Sequence, residues 1–303
     1  MYNSTFTLLF TTKNRIKDLA FSLGKIQYSL EKENVKCIIC DDASTDGTSA
    51  FILANYPEIE LIQNKVSKVL IYSRNRLLDL VTTEFAISLD DDAHFITENP
   101  LHSIQEHFKR NTNCGLIALR IFWGLDEPNT EFTVDKPTRV QGFVGCAHVW
   151  RMKAWHDIPN YPAWFIFYGE EDFASYQLFK KKWEIHYLPE VLVHHRVNVM
   201  ARKNNVDYAY RLRMSLRSGW YLYFLFYPLR KIPKKMVYSI AVQMRDKVFK
   251  GDLKVLKALF LAGIDLFLAI PNILKYKNRL TKEEYDLFQE LPATKIYWQP
   301  KKE

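Results

Sequence analysis

The sequence predicts an α/β fold, in which a mostly parallel β-sheet carries helices on both faces and a C-terminal helical region follows. Short β-branched and aromatic runs alternate with segments of helical spacing through the first 120 residues, and this alternation favours parallel strands joined by helices. The chain has 303 residues, of which 48% are hydrophobic and 25% charged, so disordered, collagen-like and coiled-coil proteins are excluded. This length suits one α/β domain with an appended region.

Local patterns predict the elements in chain order. Apolar, β-branched and aromatic runs predict strands at residues 5–10, 35–40, 59–63, 84–89, 115–121 and 184–193. Apolar residues at helical spacing predict helices at 16–26, 51–55, 69–81 and 171–181. Asn99 before Pro100 predicts the start of a further helix that ends near Arg110. Residues 122–168 contain scattered Gly and Pro and are predicted to be irregular.

Positive charge is concentrated in the last third of the chain. Residues 1–200 carry 21 Lys and Arg against 25 Asp and Glu, whereas residues 201–303 carry 21 against 9. The same third is rich in aromatic residues, and this combination suits nucleic acid or an anionic membrane surface. Lys257 and Asp265 interrupt its apolar run, so no transmembrane span is predicted. The N-terminus lacks a signal-peptide pattern, and only four cysteines indicate a reducing compartment.

Two acidic residues, Asp41 and Asp42, follow the second predicted strand. In an open α/β sheet, ligands bind beyond the carboxyl ends of the strands, where carboxylates can accept hydrogen bonds from a nucleobase or a ribose. The segment continues with Ser, Thr and Gly, which are ordinary turn residues. A turn with a helix cap is therefore an equal alternative.

Three consecutive acids, Asp90, Asp91 and Asp92, follow the apolar strand at 84–89. Carboxylates this close repel one another unless a cation is present. Hard oxygen ligands suit Mg²⁺ or Mn²⁺, with diphosphate oxygens completing the coordination shell. A solvated loop is the alternative, and the apolar strand before the triplet favours the metal.

Further candidates lie in the second half of the chain. Glu170, Glu171 and Asp172 open a predicted helix, where carboxylates either complement the helix dipole or supply a general base beside an acceptor hydroxyl. His194 and His195 end the last predicted strand. A neutral imidazole can complete a carboxylate–metal site, and the alternation of side chains along a strand lets only one of the two face it.

Four segments together resemble the inverting glycosyltransferases of family 2, which have the GT-A fold. TLLFTTKNR resembles the first strand of the family and the loop after it, and CDDASTDGT resembles the nucleotide-binding motif. SRNRLLDLVTTEFAISLDDDAHF resembles the Arg-Asn helix and the DxD motif. FYGEEDFASYQLFKKKWEIHYLPEVLVHHR resembles the acidic base motif with the helix, strand and histidine that follow. The segments occur in the family's order over about residues 5–197.

The resemblance implies a role for each candidate residue. The implied nucleotide-sugar-binding residues are Thr12, Arg15, Asp41, Asp42, Arg74, Asp90 and Asp91. The implied ligands of Mn²⁺ or Mg²⁺ are Asp90, Asp92 and His195, with His194 as the second choice. Asp172 is the implied catalytic base, and Glu171 is the alternative if the register shifts by one residue.

The resemblance also implies the organisation of the chain. Residues 1–200 would form the GT-A catalytic domain, with a nucleotide-sugar half at about 1–121 and an acceptor half at about 122–200. Residues 201–303 would form a basic, aromatic-rich helical region. The implied location is the cytoplasm, with this region peripheral on the inner face of the cell membrane and no nucleic-acid partner.

The implied activity is that of a metal-dependent glycosyltransferase of class EC 2.4. It would move a sugar from a UDP- or dTDP-sugar to a hydroxyl of a glycan or lipid-linked acceptor in surface polysaccharide synthesis, with inversion. One alternative is a metal-dependent sugar-phosphate nucleotidyltransferase, although the loop FTTKNR lacks the glycines usual for that class. The other is a non-enzymatic basic module that binds membrane or nucleic acid, which leaves the acidic clusters unexplained.

Overall fold

A nine-stranded β-sheet forms the centre of the protein in the computed structural model, which describes residues 5–32, 35–197 and 207–300. The strands are β1 (Phe6–Thr12), β2 (Lys36–Asp41), β3 (Glu60–Gln63), β4 (Phe85–Asp90), β5 (Ala93–Phe95), β6 (Cys114–Trp123), β7 (Thr138–Val140), β8 (Ala147–Arg151) and β9 (Glu184–His195). The first helices are α1 (Ile16–Lys32), α2 (Thr48–Asn55), α3 (Leu70–Leu78), α4 (Pro100–Arg110), α5 (Met152–His156) and α6 (Glu170–Lys180). Helices and strands therefore alternate through the first 110 residues, as predicted.

The strand order is β3-β2-β1-β4-β8-β6-β9-β5, and β7 pairs with the first part of β9. Six strands, β1, β2, β3, β4, β6 and β9, run in one direction, and β5, β7 and β8 run in the other. The prediction of an α/β fold with a mostly parallel sheet is confirmed.

The prediction that residues 122–168 are irregular was wrong for three short elements and holds for most of the segment. This segment contains β7, β8 and α5, and β8 lies between β4 and β6, antiparallel to both. Strand β8 has five residues, which is too short for a clear alternating pattern, and its place in the sheet depends on pairing with strands distant in sequence. Strand β5 escaped prediction for the same reason, because it has three residues.

Side chains of the central strands alternate between two hydrophobic clusters, one on each face of the sheet. Cys37 and Ile39 of β2 belong to the cluster that includes residues of α1, α2 and α4. Ile38 and Cys40 belong to the cluster that includes residues of α3, α5 and α6 and of the C-terminal helices. Both faces of the sheet are therefore covered by helices. The candidate residues lie at the strand ends of this covered sheet.

The C-terminal region consists of helices α7 (Tyr208–Phe226), α8 (Ile232–Asp246), α9 (Lys254–Leu268), α10 (Ile270–Tyr276) and α11 (Lys282–Glu290). Asp265 of α9 accepts two hydrogen bonds from Arg213 of α7, at 2.6 and 2.7 Å. The ring of Phe226 stacks on Tyr176 of α6, with centroids 4.8 Å apart. These helices are therefore packed on the helix layer of the sheet. The predicted boundary at residue 200 lies outside the described residues.

The surface of the C-terminal helices bears on the membrane prediction. Among the residues that the structure describes, no single helix is both long and apolar enough to cross a membrane. Helices α9 and α10 meet those criteria only as a pair, and they are bent by 57° where they join. Large apolar side chains nevertheless remain exposed here, since Phe260 is 70% and Phe267 is 72% accessible.

Candidate active site

The carboxyl ends of three parallel strands bring several of the predicted site residues to one edge of the sheet. Strand β1 lies between β2 and β4, with Thr12 level with Asp41 and Thr11 level with Asp90. The end of β9 reaches the same edge, because His195 pairs with the first residue of β5, which follows the acidic triplet. Acids that follow neighbouring parallel strands therefore face one crevice, where α/β proteins bind ligands.

Asp90, Asp92 and His195 form a compact cluster in which the potential ligand atoms all lie within 4.8 Å of one another. His195 Nε2 approaches Asp92 Oδ1 at 3.0 Å and Asp90 Oδ2 at 4.0 Å. Asp92 Oδ1 is buried and has no partner in hydrogen-bond geometry among the described residues. Burial favours protonation of Asp92, but His195 and Arg15 outweigh it and lower its pKa to about 2. A buried, anionic carboxylate beside a second carboxylate and an imidazole fits a divalent cation such as Mn²⁺ or Mg²⁺.

Arg15 pairs with one carboxylate oxygen of Asp91 and one of Asp92. Its Nη2 lies 2.7 Å from Asp92 Oδ2, and its Nη1 lies 3.2 Å from Asp91 Oδ1. Thr12 Oγ1 donates a hydrogen bond of 2.8 Å to Asp91 Oδ2. Burial raises the pKa of Asp91 to about 7, although Arg15 opposes the rise. The structure thus joins Thr12, Arg15 and Asp91 in one network, and the guanidinium, 41% exposed, also faces solvent.

Asp41 and Asp42 are both buried and hold the loops around the crevice. Asp42 accepts hydrogen bonds from the backbone N–H of Lys68 and the side-chain amide of Asn64, each at 2.7 Å. Burial alone would raise the pKa of Asp42, but these and neighbouring hydrogen bonds lower it. Asp41 accepts from the backbone N–H of Ser44 at 2.9 Å. Asp41 therefore has the turn-forming role of the alternative, whereas Asp42 holds the loop before α3. Contact of either carboxylate with a nucleotide stays a prediction.

Arg74 joins the triplet after β4 to the acids of α6. This arginine is 5% exposed, and its Nη2 lies 2.8 Å from Asp90 Oδ1 while its Nη1 lies 2.8 Å from Glu170 Oε1. Nη2 also donates to the Gly145 carbonyl oxygen at 2.9 Å. Burial opposes the positive charge, but Asp90 and Glu170 outweigh it and raise the pKa of Arg74. The predicted metal cluster and the predicted base motif therefore belong to one centre.

Helix α6 begins with three acids, and because successive residues are about 100° apart around a helix, these acids face different surroundings. Glu170 is buried against Arg74, and both burial and the Glu171 charge raise the pKa of Glu170. Glu171 is half-buried, and its carboxylate lies beside Gly145. Asp172 is exposed, although the protein around it and the Glu171 charge raise its pKa.

The surroundings of Asp172 differ from those of Glu171. Burial and the Asp172 charge raise the pKa of Tyr223 in α7, so the Asp172 carboxylate lies near the C-terminal helices. Glu171 instead adds to the electrostatic field at Arg74 and Cys146. Glu171 is therefore the acid of α6 that both reaches solvent and adjoins the Arg74 centre. The assignment of Asp172 as base stays a prediction.

Strand β9 separates its two terminal histidines, as the alternation of side chains requires. His195 faces the carboxylates, whereas His194 Nε2 donates to the Gly124 carbonyl oxygen at 2.9 Å and its ring lies 5.2 Å from that of His94. Two residues of the centre had no specific role assigned from the sequence, Glu170 and Gly145. The acidic triplet was the signal for Glu170, whereas nothing local to Gly145 indicated that a guanidinium would lie against it.

Comparison with known proteins relates this geometry to a family. The family model of glycosyl transferase family 2 matches residues 7–162, just over half of the chain. Comparison with curated protein sequences gives no match.

Several solved structures share the fold. One is GalNAc-T7 with UDP, GalNAc and Mn²⁺, at a TM-score of 0.56 and 12% identity, over 72% of this chain and 50% of that one. Another is the mannosyltransferase PcManGT from Pyrobaculum calidifontis in complex with GDP-Man and Mn²⁺, at 0.55 and 14%, over 95% and 79%. A third is S. aureus TarS 1–349 in complex with UDP-GlcNAc, at 0.55 and 15%, over 85% and 79%. The chain spans half the length of the GalNAc-T7 structure. These likenesses confirm the GT-A fold.

Replacing Gly145 with alanine is expected to disturb the Arg74 centre. The added Cβ would stand 2.6 Å from Arg74 Nη1 and would overlap the Glu171 carboxylate. We expect the free energy of unfolding, measured by urea denaturation, to fall by about 1–3 kcal/mol. Gly219→Ala is the matched control, because no atom lies within 4 Å of its added Cβ and alanine favours the helix it occupies. Equal stability of the two variants would contradict this account.

Proposed function

The chain belongs to glycosyl transferase family 2, and from this premise we propose that it moves a sugar from a nucleotide-diphosphate donor to a hydroxyl group of a glycan or lipid-linked acceptor. The observation that carries the proposal is the Arg74 centre, in which a cluster of potential metal ligands and the accessible carboxylate of Glu171 both lie near one buried guanidinium. A displacement reaction needs activation of the acceptor and stabilisation of the leaving group. The Arg74 centre contains residues suited to each of these two tasks.

We assign the donor to the edge of the sheet where β1, β2 and β4 end. The solved structures named above are complexes with UDP, GDP-Man and UDP-GlcNAc, which supports a nucleotide-sugar donor here, and we propose a UDP- or dTDP-sugar. Thr12, Asp41 and Asp42 shape the loops of this edge, and Arg15 offers a solvent-facing cation that can pair with a diphosphate.

Asp90, Asp92 and His195 are the residues that would hold Mn²⁺ or Mg²⁺. Such an ion supplies positive charge against the departing diphosphate. Arg74 keeps Asp90 in place and balances the charge of Glu170. Arg15 pairs with Asp92 in this structure, and its side chain, 41% exposed, would also be able to pair with a diphosphate.

Glu171 is the proposed catalytic base, and Asp172 is the alternative. The Glu171 carboxylate accepts the proton of an acceptor hydroxyl, the hydroxyl oxygen bonds to the anomeric carbon, and the bond from that carbon to the diphosphate oxygen breaks. Attack from the face opposite the diphosphate inverts the anomeric configuration in a single displacement. The family match favours this reaction over nucleotidyl transfer and over a non-enzymatic binding module.

The exposed surface of the C-terminal helices supports a peripheral membrane location. Apolar side chains recur every three or four residues along α9, so they form one stripe on the helix. We call this stripe, together with the exposed Phe249 that precedes α9 in the chain, the apolar face; its members are Phe249, Leu253, Leu256, Phe260, Ile264 and Phe267, each between 40% and 77% exposed. Lys250, Lys254 and Lys257 are exposed beside it. Apolar and basic groups together suit an anionic bilayer surface.

We therefore propose that the protein works at the cytoplasmic face of the cell membrane, on a lipid-linked acceptor of surface polysaccharide synthesis. All four cysteines are unpaired and buried, which agrees with a reducing compartment. The apolar face would bring the acceptor's lipid and the protein to the same surface.

The roles of Glu171 and Asp172 can be separated with two isosteric variants. Turnover is measured as the rate at which nucleoside diphosphate is released from UDP-, dTDP- and GDP-sugars. We expect Glu171→Gln to lower this rate by about 10²–10⁴-fold, because the substitution removes the proton acceptor. Donor dissociation constants, measured by calorimetry, should change less than threefold. Asp172→Asn is the matched control and should retain turnover within a few-fold. The reverse result would assign the base to Asp172, and full turnover in both variants would contradict an α6 carboxylate base.

Membrane binding can be tested with vesicles of phosphatidylcholine and phosphatidylglycerol. We expect Phe260→Ser combined with Phe267→Ser to weaken binding at least tenfold, because two aromatic side chains no longer enter the bilayer interface. Phe132→Ser is the matched control, since Phe132 is 74% exposed in the loop between β6 and β7. Failure of the wild-type protein to bind vesicles at low salt would contradict the proposed location. Equal binding by the wild type, the double variant and Phe132→Ser would also contradict it.

A further inference from the structure

A second cluster of metal-ligating side chains lies at the end of the sheet opposite to the acidic centre. His107 belongs to α4, Cys114 is the first residue of β6, and His186 is the third residue of β9. One ligand atom from each residue lies within 4.8 Å of the other two. Because β6 and β9 are parallel, Cys114 and His186 lie at their amino ends, whereas His195 lies at the carboxyl end of β9. This cluster is therefore separate from the centre described above.

Hydrogen bonds assign a tautomer to each ring in its neutral form. His186 Nε2 lies 2.9 Å from Glu184 Oε2, and Arg139 lies 3.0 Å from the other oxygen of that carboxylate. A carboxylate only accepts, so Nε2 carries the proton of neutral His186 and Nδ1 has a lone pair. That Nδ1 lies 2.9 Å from His107 Nε2, which must then donate to it. Glu184 thus prepares His186 Nδ1 as an electron-pair donor that points into the cluster.

We propose that His107, Cys114 and His186 bind a transition-metal ion, with Zn²⁺ as the best match to two imidazoles and a thiolate. Ligand atoms at about 2.0–2.3 Å from a tetrahedral Zn²⁺ lie about 3.3–3.7 Å from one another, so the observed spacing requires only small side-chain movements. A carboxylate bound to the other nitrogen of a ligating histidine is the usual outer-shell partner of zinc, and Glu184 has that place.

Binding rearranges two protons. The thiol proton of Cys114 is released to solvent, so that the thiolate can bind the metal. The proton on His107 Nε2 moves, through solvent, to Nδ1 of the same ring, and Nε2 then becomes a ligand. Three protein ligands leave one tetrahedral position for water. The metal would tie α4 to the amino ends of β6 and β9, which helps to hold the sheet edge beneath the candidate active site.

A third cluster, formed by His94, Glu127 and His194, does not have these properties. Arg196 Nη1 lies 2.7 Å from His94 Nδ1 and can only donate, so the proton of neutral His94 is on Nε2, the atom that would have to bind the metal. That proton cannot move to Nδ1, as it can in His107, while Nδ1 accepts from Arg196. Glu127 is exposed and already paired with Lys25 at 3.0 Å. The cluster around Cys114 is therefore the better metal site.

The proposal is tested by titrating Co²⁺ into tag-free, EDTA-treated protein that carries Asp92→Ala, which removes a ligand of the other cluster. Co²⁺ takes the same ligands as Zn²⁺ and reports a thiolate ligand by a charge-transfer band in the near ultraviolet. We expect one Co²⁺ per chain, with that band and visible absorption of tetrahedral intensity. Zn²⁺ should displace the Co²⁺ and raise the melting temperature, because it binds only the folded chain.

Three further substitutions in the same background complete the test. Cys114→Ser should abolish the charge-transfer band, and His186→Gln should weaken Co²⁺ binding at least tenfold. His156→Gln is the matched control, because His156 is exposed and belongs to no cluster, and it should bind as the parent does. Circular dichroism checks that each variant folds. If Cys114→Ser prevents folding, His107→Gln is used in its place. Absence of the band in the parent, or its persistence in Cys114→Ser, would overturn the proposal.

Discussion

Buried between two acidic groups, the guanidinium of Arg74 holds Asp90 at the end of β4 and Glu170 at the start of α6 in one centre. Without a cation between them, these carboxylates and that of Glu171 would repel one another, and a buried unpaired Glu170 would be strongly unfavourable. The carbonyl group of Gly145 accepts from the same guanidinium, and the absence of a side chain at Gly145 leaves room for it. The candidate metal ligands and the acids of α6 depend on this one interaction for their mutual position.

The sheet topology explains why the two acidic groups meet although 80 residues separate them. Strand β8 runs antiparallel to β4, so the residues just before β8 pass beside the end of β4. The backbone N–H of Asp90 donates to the Cys146 carbonyl oxygen at 2.9 Å, which anchors that crossing. Parallel pairing of β1 with β2 and β4 brings the remaining carboxylates to the same edge. The candidate metal ligands and the candidate proton acceptor therefore lie along a common edge of the sheet.

How far the sequence predicts this site depends on whether each residue's partners are near in the chain. Asp90 and Asp92 were predictable because strand ends are a local pattern, and strand alternation predicted that only one of His194 and His195 faces them. The choice of His195 came from the family resemblance. Strand β8, the position of Gly145 and the burial of Glu170 depend on pairing across more than 50 residues, which no local pattern reports. Asp42 illustrates both cases: its place after β2 was predictable, whereas its bond to the Lys68 backbone depends on the loop before α3.

The most direct test of a metal-dependent nucleotide site at the strand ends is the melting temperature with UDP, dTDP or GDP, each with and without Mn²⁺. A ligand that binds only the folded chain raises the melting temperature by mass action. The account predicts a rise with one of these nucleotides that requires Mn²⁺ and disappears in Asp92→Ala, while Asp126→Ala, in an exposed loop, behaves as wild type. No rise with any nucleotide in folded wild-type protein, or an undiminished rise in Asp92→Ala, would contradict it.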